Sequence, residues 1–177
     1  IIGGGIMGVS LLYHLAKEGW KDLVLLEKGE LTSGSTWHAA GQCPQMMGSY
    51  NLAKIHKESN NLYKKLEKET EQPTGFHECG SLRIAYKKED IDWFKYVKGI
   101  LDNIGAPSEI ITTNEVRKIH PFIKLDGILG AFHTPDDGHT DPTSTTNAMA
   151  KGARNYGAKI YRKNRVTDIK QLSSGEW

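Results

Sequence analysis

The chain has 177 residues, 38% of them hydrophobic and 25% charged, with a net charge of +2. That is the balance of an ordinary globular domain with a real core. So small a charge argues for no particular acidic or nucleic-acid partner, and no apolar run approaches the length of a membrane span.

The first segment reads Ile1-Ile2-Gly3-Gly4-Gly5-Ile6-Met7-Gly8. Gly3, Gly5 and Gly8 fit the G-x-G-x-x-G spacing: the first glycine allows the turn out of a strand, the second a close backbone approach to a pyrophosphate, the third close helix–strand packing. Alone this fingerprint is weak, so its context decides. Ile1 and Ile2 end a strand. Leu11, Leu12, Leu15 and Ala16 lie at helical spacing within Val9 to Lys17, and Gly19 is placed to stop that helix. Leu23 to Leu26 reads as a buried parallel strand. Glu27 closes it about 20 residues after the glycines, where a carboxylate accepts ribose hydroxyls. An acidic residue there disfavours the 2′-phosphate of NADP and leaves FAD and NAD open.

Leu31-Thr32-Ser33-Gly34-Ser35-Thr36-Trp37-His38-Ala39-Ala40-Gly41 is rich in small and hydroxylic residues. Such residues permit close backbone approach and supply hydrogen bonds to phosphate or ribityl oxygens. A bland strand-to-helix loop has no need of them. From Glu27-Lys28 through this segment the sequence resembles the flavin segment of the dimethylglycine and sarcosine dehydrogenases, in the D-amino-acid-oxidase-like FAD superfamily. In that family the histidine of the Trp-His pair is bonded to the flavin 8α-methyl group, which implies FAD attached covalently at His38. The plainer reading of a lone histidine is a hydrogen-bonded loop or core residue. The resemblance further implies that Gly3, Gly5, Ile6, Met7 and Gly8 hold the pyrophosphate. Glu27 and Lys28 would serve the adenosine ribose. Gly34, Ser35, Thr36, Trp37, His38, Ala39, Ala40, Gly41 and Gln42 would serve the ribityl-flavin side.

Gln42 to Gly48 is irregular and departs from the family's composition. Either it alters the substrate chemistry or it merely covers the cofactor. Cys43 and Cys79 are the only cysteines and form no C-x-x-C pair, which favours two free thiols in a reducing compartment.

Asn51 to Glu71 is expected to be a helix, with Leu52, Ile55, Ser59, Leu62 and Leu66 on its buried face, stopped by Gln72-Pro73-Thr74-Gly75. His56 has no partner at ligand spacing. Leu82, Ile84 and Tyr86 alternate as in a strand, within a Gly-Ser-Leu-Arg stretch that also resembles the family. Arg83 invites assignment to a substrate carboxylate, but its place between buried residues favours solvent. Lys88 to Ile104 is a second helix, with Ile91, Phe94, Val97, Leu101 and Ile104 on one face. Glu109 to Ile111 is a strand, Thr113 to Val116 starts a short capped helix, and Asp126 to His133 is another strand.

His133 to Asp141 holds two His and three Asp, but their spacing matches no metal-ligand pattern. A turn at Pro135-Asp136-Asp137-Gly138 and an N-cap at Asp141, with Pro142 at the first helical position, account for them. Pro142 to Asn155 is a helix ended near Gly157. Ala158 to Tyr161 and Arg165 to Ile169 are strands. The resemblance implies that the backbone at Val166 touches the adenine.

The expected fold class is α/β: a Rossmann-like FAD-binding domain of the glutathione-reductase, D-amino-acid-oxidase-like type, with an inserted α+β portion of a substrate domain. The FAD-binding domain takes residues 1–47 and 141–177, and residues 48–140 begin the substrate domain. Only two residues precede Gly3, fewer than a first strand needs, so the chain reads as an internal fragment truncated at both ends. The implied activity is oxidation of an N-methyl amine such as dimethylglycine or sarcosine by hydride transfer to flavin. The electron acceptor would be an electron-transfer flavoprotein or oxygen, and tetrahydrofolate would take up the one-carbon unit in a further domain. The location would be the mitochondrial matrix in a eukaryote or the cytoplasm in a bacterium. No catalytic base stands out. Another N-methyl amine oxidase, a non-catalytic FAD-binding subunit like the pyruvate dehydrogenase phosphatase regulatory subunit, and an NAD-dependent enzyme are the alternatives. The last leaves Ser35 to Gly41 unexplained.

Overall fold

The computed structural model describes residues 1–177. They divide into two compact units, residues 1–41, 65–75 and 141–177 in the first, and residues 42–64 and 76–140 in the second.

The first unit is built on a parallel pair, β1 (Val24–Leu26) and β7 (Lys159–Tyr161), with Leu25 opposite Ile160. Ile2 joins the other side of β1 by a parallel bridge to Leu26. Between Ile2 and β1 runs α1 (Ile6–Lys17), so the chain's start is the βαβ unit expected of the glycine fingerprint. Val9, Leu12, Tyr13 and Ala16 are buried along one helical stripe. α5 (Pro142–Asn155) packs beside it, and a Cβ at Gly152 would stand 2.8 Å from the Tyr13 ring. The absence of a side chain there is what allows the two helices to meet. α5 starts as expected, with Asp141 accepting the Ser144 N–H at 2.6 Å and Pro142 in the first turn.

The buried end of Tyr13 is satisfied by Glu69, whose carboxylate accepts the phenol at 2.6 Å and also bonds Lys17 and Tyr156. Burial, and then the Glu69 carboxylate, push the Tyr13 phenol up to about 12, so it stays a donor.

α2 (Tyr50–Thr70) forms over nearly the expected span but with a different face inward. Leu52 and Ile55 are exposed, whereas Ala53, Asn60, Leu66 and Thr70 are buried. A polar anchor helps set the rotation: the Asn60 amide donates to the carbonyl of Cys43 at 2.9 Å and to that of Asp136 at 3.3 Å. Satisfying those buried carbonyls takes precedence over burying two leucine-type side chains.

The second unit contains a short antiparallel pair, β2 (Gln42–Cys43) with β6 (Gly138–His139). Its main sheet has the order β3-β5-β4, from Ser81–Ala85, Gly130–Thr134 and Glu109–Ile111, all antiparallel. α3 (Lys88–Asn103) and α4 (Thr113–Ile119) contribute to two separate clusters. Phe94, Val97 and Leu101 of α3 pack with Ala85 and Phe132, while Val116 of α4 packs with Ile111 and Ala131. The register explains the division, since facing pairs such as Ile84 and Ala131 share one side of the pleat and neighbours alternate.

Three expected strands change. β3 stops at Ala85, because the Tyr86 and Lys87 N–H groups turn to the Asp90 carboxylate and cap α3. Asp126 to Leu129 is not part of β5: Gly127 at φ +75 and the Ile128 N–H to Leu125 carbonyl bond make a turn first. Arg165 to Ile169 is not a strand, since no neighbouring strand offers it a ladder and only Val166 is half-buried. The cysteines form no disulfide; Cys43 is buried and Cys79 exposed. Burial, and then the Asp137 carboxylate, push the Cys43 thiol up to about 11. No helix is long and apolar enough to cross a membrane.

Candidate functional site

In the first unit a cavity of about 530 Å³ opens at the N-terminus of α1. Gly3, Gly5, Ile6 and Met7 form one wall, and Glu27 and Lys28 stand at the end of β1. Gly34, Ser35, Thr36 and Ala39 form the opposite wall. The structure therefore brings together ten residues singled out in the two sequence segments. Gly8 sits beneath this wall rather than in it: a Cβ there would collide with the Gly3 carbonyl oxygen. Gly3 itself has φ +104, a conformation natural to glycine.

Local bonds fix the two segments to each other. The Ile6 N–H donates to the Thr36 hydroxyl at 3.0 Å, and the Thr32 N–H donates to the Gly4 carbonyl at 3.0 Å. Gly5 caps α1 without a side chain, so the first-turn N–H groups of Met7 and Gly8 find no protein acceptor. Such orphan donors, with the helix dipole behind them, suit an anionic ligand.

Glu27 is buried, and its two oxygens are held separately. One accepts the Gly4 N–H at 2.6 Å and the other the Gly29 N–H at 2.7 Å. These donors, Gly29 first and Gly4 second, hold the carboxyl below the usual glutamate range. A carboxylate oxygen has more than one acceptor direction, so each can still meet a hydroxyl.

A second cavity of about 370 Å³ lies alongside, with Val166 in its wall together with Gly3, Glu27 and Lys28. Its neighbours Asn164 and Arg165 were not singled out. The Asn164 N–H donates to the Glu27 carbonyl at 2.9 Å, a tertiary contact without a local sequence signal. Gly4 and Ser33 are also in the larger cavity's wall. Their position inside the two small-residue runs was the available clue.

Trp37 and His38 follow on a 3-10 turn, Thr36–His38, with ring centroids 3.9 Å apart. Both are exposed, and neither they, Ala40 nor Gly41 lines the cavity. The imidazole of His38 makes no side-chain hydrogen bond, and Gly41 adopts φ +71. Gln42 lies in β2 of the second unit, paired with His139.

FAD is the group these residues imply, and the cradle fits it. No heavy atom lies within 4 Å of a Cβ built at Gly3 or Gly34, the two walls converge on unpaired backbone donors, and a buried carboxylate stands at the end of β1.

Comparison with known proteins agrees with this geometry. Residues 1–177 match the family described as FAD dependent oxidoreductase (DAO). Mitochondrial dimethylglycine dehydrogenase of Rattus norvegicus is 47% identical over 177 residues, covering 100% of this chain and 21% of that protein. The mitochondrial pyruvate dehydrogenase phosphatase regulatory subunit of Mus musculus is 37% identical over 169 residues, 96% of this chain and 19% of that protein. Among solved structures, L-proline dehydrogenase from P. horikoshii superposes with a TM-score of 0.88 at 31% identity, over 97% of this chain and 45% of that one. The chain thus spans about a fifth of the length of the curated relatives it matches.

Proposed function

The chain belongs to the FAD dependent oxidoreductase family, and from that premise we propose that it is part of an enzyme oxidising an N-methyl amine of the dimethylglycine or sarcosine kind. The observation that carries the reading is the 47% identity to dimethylglycine dehydrogenase along all 177 residues.

Once bound, FAD supplies a hydride acceptor for the carbon beside the amine nitrogen, and the iminium so formed yields formaldehyde or a one-carbon unit for tetrahydrofolate. The chain's own residues bind and orient. Gly3, Gly5, Ile6, Met7 and Gly8 form the turn that receives the pyrophosphate, with the unpaired first-turn N–H of Met7 as a donor. Glu27 and Lys28 take the adenosine ribose, and the backbone at Val166 takes the adenine. Gly34 to Gln42 follow the ribityl chain and flavin, and His38 is the point of covalent attachment. Its exposed imidazole, held against Trp37 and free of side-chain hydrogen bonds, supports that role. Residues 1–47 and 141–177 form the FAD-binding portion, and residues 48–140 begin the substrate domain. Electrons pass on to an electron-transfer flavoprotein or oxygen. The location is the mitochondrial matrix in a eukaryote and the cytoplasm in a bacterium.

The 37% identity to a phosphatase regulatory subunit favours a second reading, in which FAD is held but no amine is oxidised. Mixing the purified holoenzyme with dimethylglycine in the absence of oxygen separates the two. Bleaching of the oxidised flavin band, with formaldehyde released as water hydrolyses the iminium, is expected. Bound flavin that no N-methyl amine bleaches would leave the regulatory reading standing.

A further inference from the structure

Thr32, in the first unit, holds a backbone conformation foreign to its residue type. Its φ is +70, in the left-handed region that glycine enters freely and that crowds a Cβ against the following carbonyl. Three other non-glycine residues share that region, Asp22, Glu71 and Lys163. All three are exposed and none is β-branched, whereas Thr32 is β-branched and buried. A strained residue persists only where its surroundings over-determine it, and such residues gather at functional sites.

The surroundings of Thr32 are hydrogen bonds on every side. Its N–H donates to the Gly4 carbonyl at 3.0 Å, and its carbonyl accepts the Trp37 N–H at 3.4 Å. Its hydroxyl accepts that of Thr143, in the first turn of α5, at 3.5 Å. Gly4 extends the line, since its own N–H donates to the Glu27 carboxylate at 2.6 Å. A connected run of bonds therefore leads from Glu27 through Gly4 and Thr32 to the turn that carries Trp37 and His38. Between Ser33 and Ala40 only Thr36 is buried, and its hydroxyl accepts the Ile6 N–H as a second anchor. The exposed turn thus hangs from two threonines, one of them strained.

We propose that Thr32 is a positioning residue, whose locked left-handed backbone sets the direction of the Thr36–His38 turn on the flavin side of the cradle. The proposal rests on the assignment of Gly34 to Gln42 to the flavin and deepens it by naming what fixes that segment. Glycine at position 32 would reach φ +70 without strain. It would also pivot there, lacking the branched side chain that limits rotation and the hydroxyl that meets Thr143.

The test compares Thr32→Gly and Thr32→Ser in the full-length protein. Both are made in a His38→Ala parent, so that flavin is added and removed reversibly. Hydrogen exchange of the apoprotein is followed by mass spectrometry in the peptide covering residues 33–41. It should quicken about tenfold in Thr32→Gly and stay unchanged in α1. The thermal midpoint should stay within about 3 °C of the parent, because relief of strain offsets the lost side chain. FAD affinity should fall about tenfold or more. ADP reaches only the pyrophosphate, ribose and adenine side, and should bind within a factor of about two of the parent. Thr32→Ser, which keeps the hydroxyl, should fall between. Unchanged exchange in residues 33–41 would overturn the proposal whatever the flavin does. Unchanged FAD affinity, or equal losses of FAD and ADP, would overturn it as well. A parent that binds ADP as tightly as FAD would overturn the flavin-side assignment, and the exchange result would still decide whether Thr32 fixes the turn.

Discussion

Replacing Gly8 by alanine is expected to strip flavin from the protein. The added Cβ would overlap the Gly3 carbonyl oxygen, a backbone atom with no rotamer to escape into, and would also approach the Ile1 side chain to 3.4 Å. Relief requires the first turn of α1 to move away from the Ile2–Gly3 turn, and the cavity-lining Met7 moves with it. Overpacking of this kind costs about 1–3 kcal/mol. The larger effect is on the ligand, because the phosphate cradle is the part displaced. Flavin per chain should fall to a small fraction of wild type, with a lower thermal midpoint. Gly99→Ala is the matched control, since its Cβ meets nothing within 4 Å on α3. It should keep its flavin and gain slightly in stability through helix propensity. Equal flavin content in the two variants would show that the Gly3–Gly8 contact has no part in the site.

Glu27→Ala is expected to lose both flavin and acid-dependent stability. The carboxylate satisfies the buried Gly4 N–H and the Gly29 N–H. Leaving a buried donor without an acceptor costs about 2 kcal/mol. Loss of the proposed ribose contact would weaken flavin retention by about tenfold or more. The direction with pH follows from the lowered folded value of Glu27. A depressed carboxyl binds its proton less readily in the folded state than in the unfolded one. Its contribution is therefore complete above the ordinary glutamate value of 4.5 and disappears as the pH falls through the lower folded value. Acid unfolding of wild type and Glu27→Gln should converge at low pH and separate above that range, with wild type the more stable. Parallel curves at every pH would mean that Glu27 is not held as an ion by those two donors.

Much of this was legible because it is written in local pattern. The glycine spacing, the helical spacing of Leu11, Leu12, Leu15 and Ala16, and the short apolar strand before Glu27 specify a βαβ unit, although the buried stripe is Val9, Leu12, Tyr13 and Ala16 and Leu11 is exposed. Asp141 and Pro142 mark the start of α5 in the same local way, as a cap and a first-turn proline. The failures share a different cause. The rotation of α2 depends on two carbonyls, at Cys43 and Asp136, far from Asn60 in sequence. The segment at Arg165 to Ile169 has strand-forming residues but no neighbour to pair with, and strand formation requires one. Within the site, Asn164 carries no local signal, because its contact with Glu27 is tertiary. Arg83 is exposed, as the period of two along its strand implies.

Acid precipitation of the purified protein, beside His38→Ala, tests the central claim that these two segments hold one FAD joined at His38. The washed wild-type pellet should be yellow and fluorescent, and the His38→Ala pellet colourless with its flavin in the supernatant. Flavin in the supernatant of both proteins would contradict the covalent bond, and flavin in neither fraction of either protein would contradict the FAD site itself.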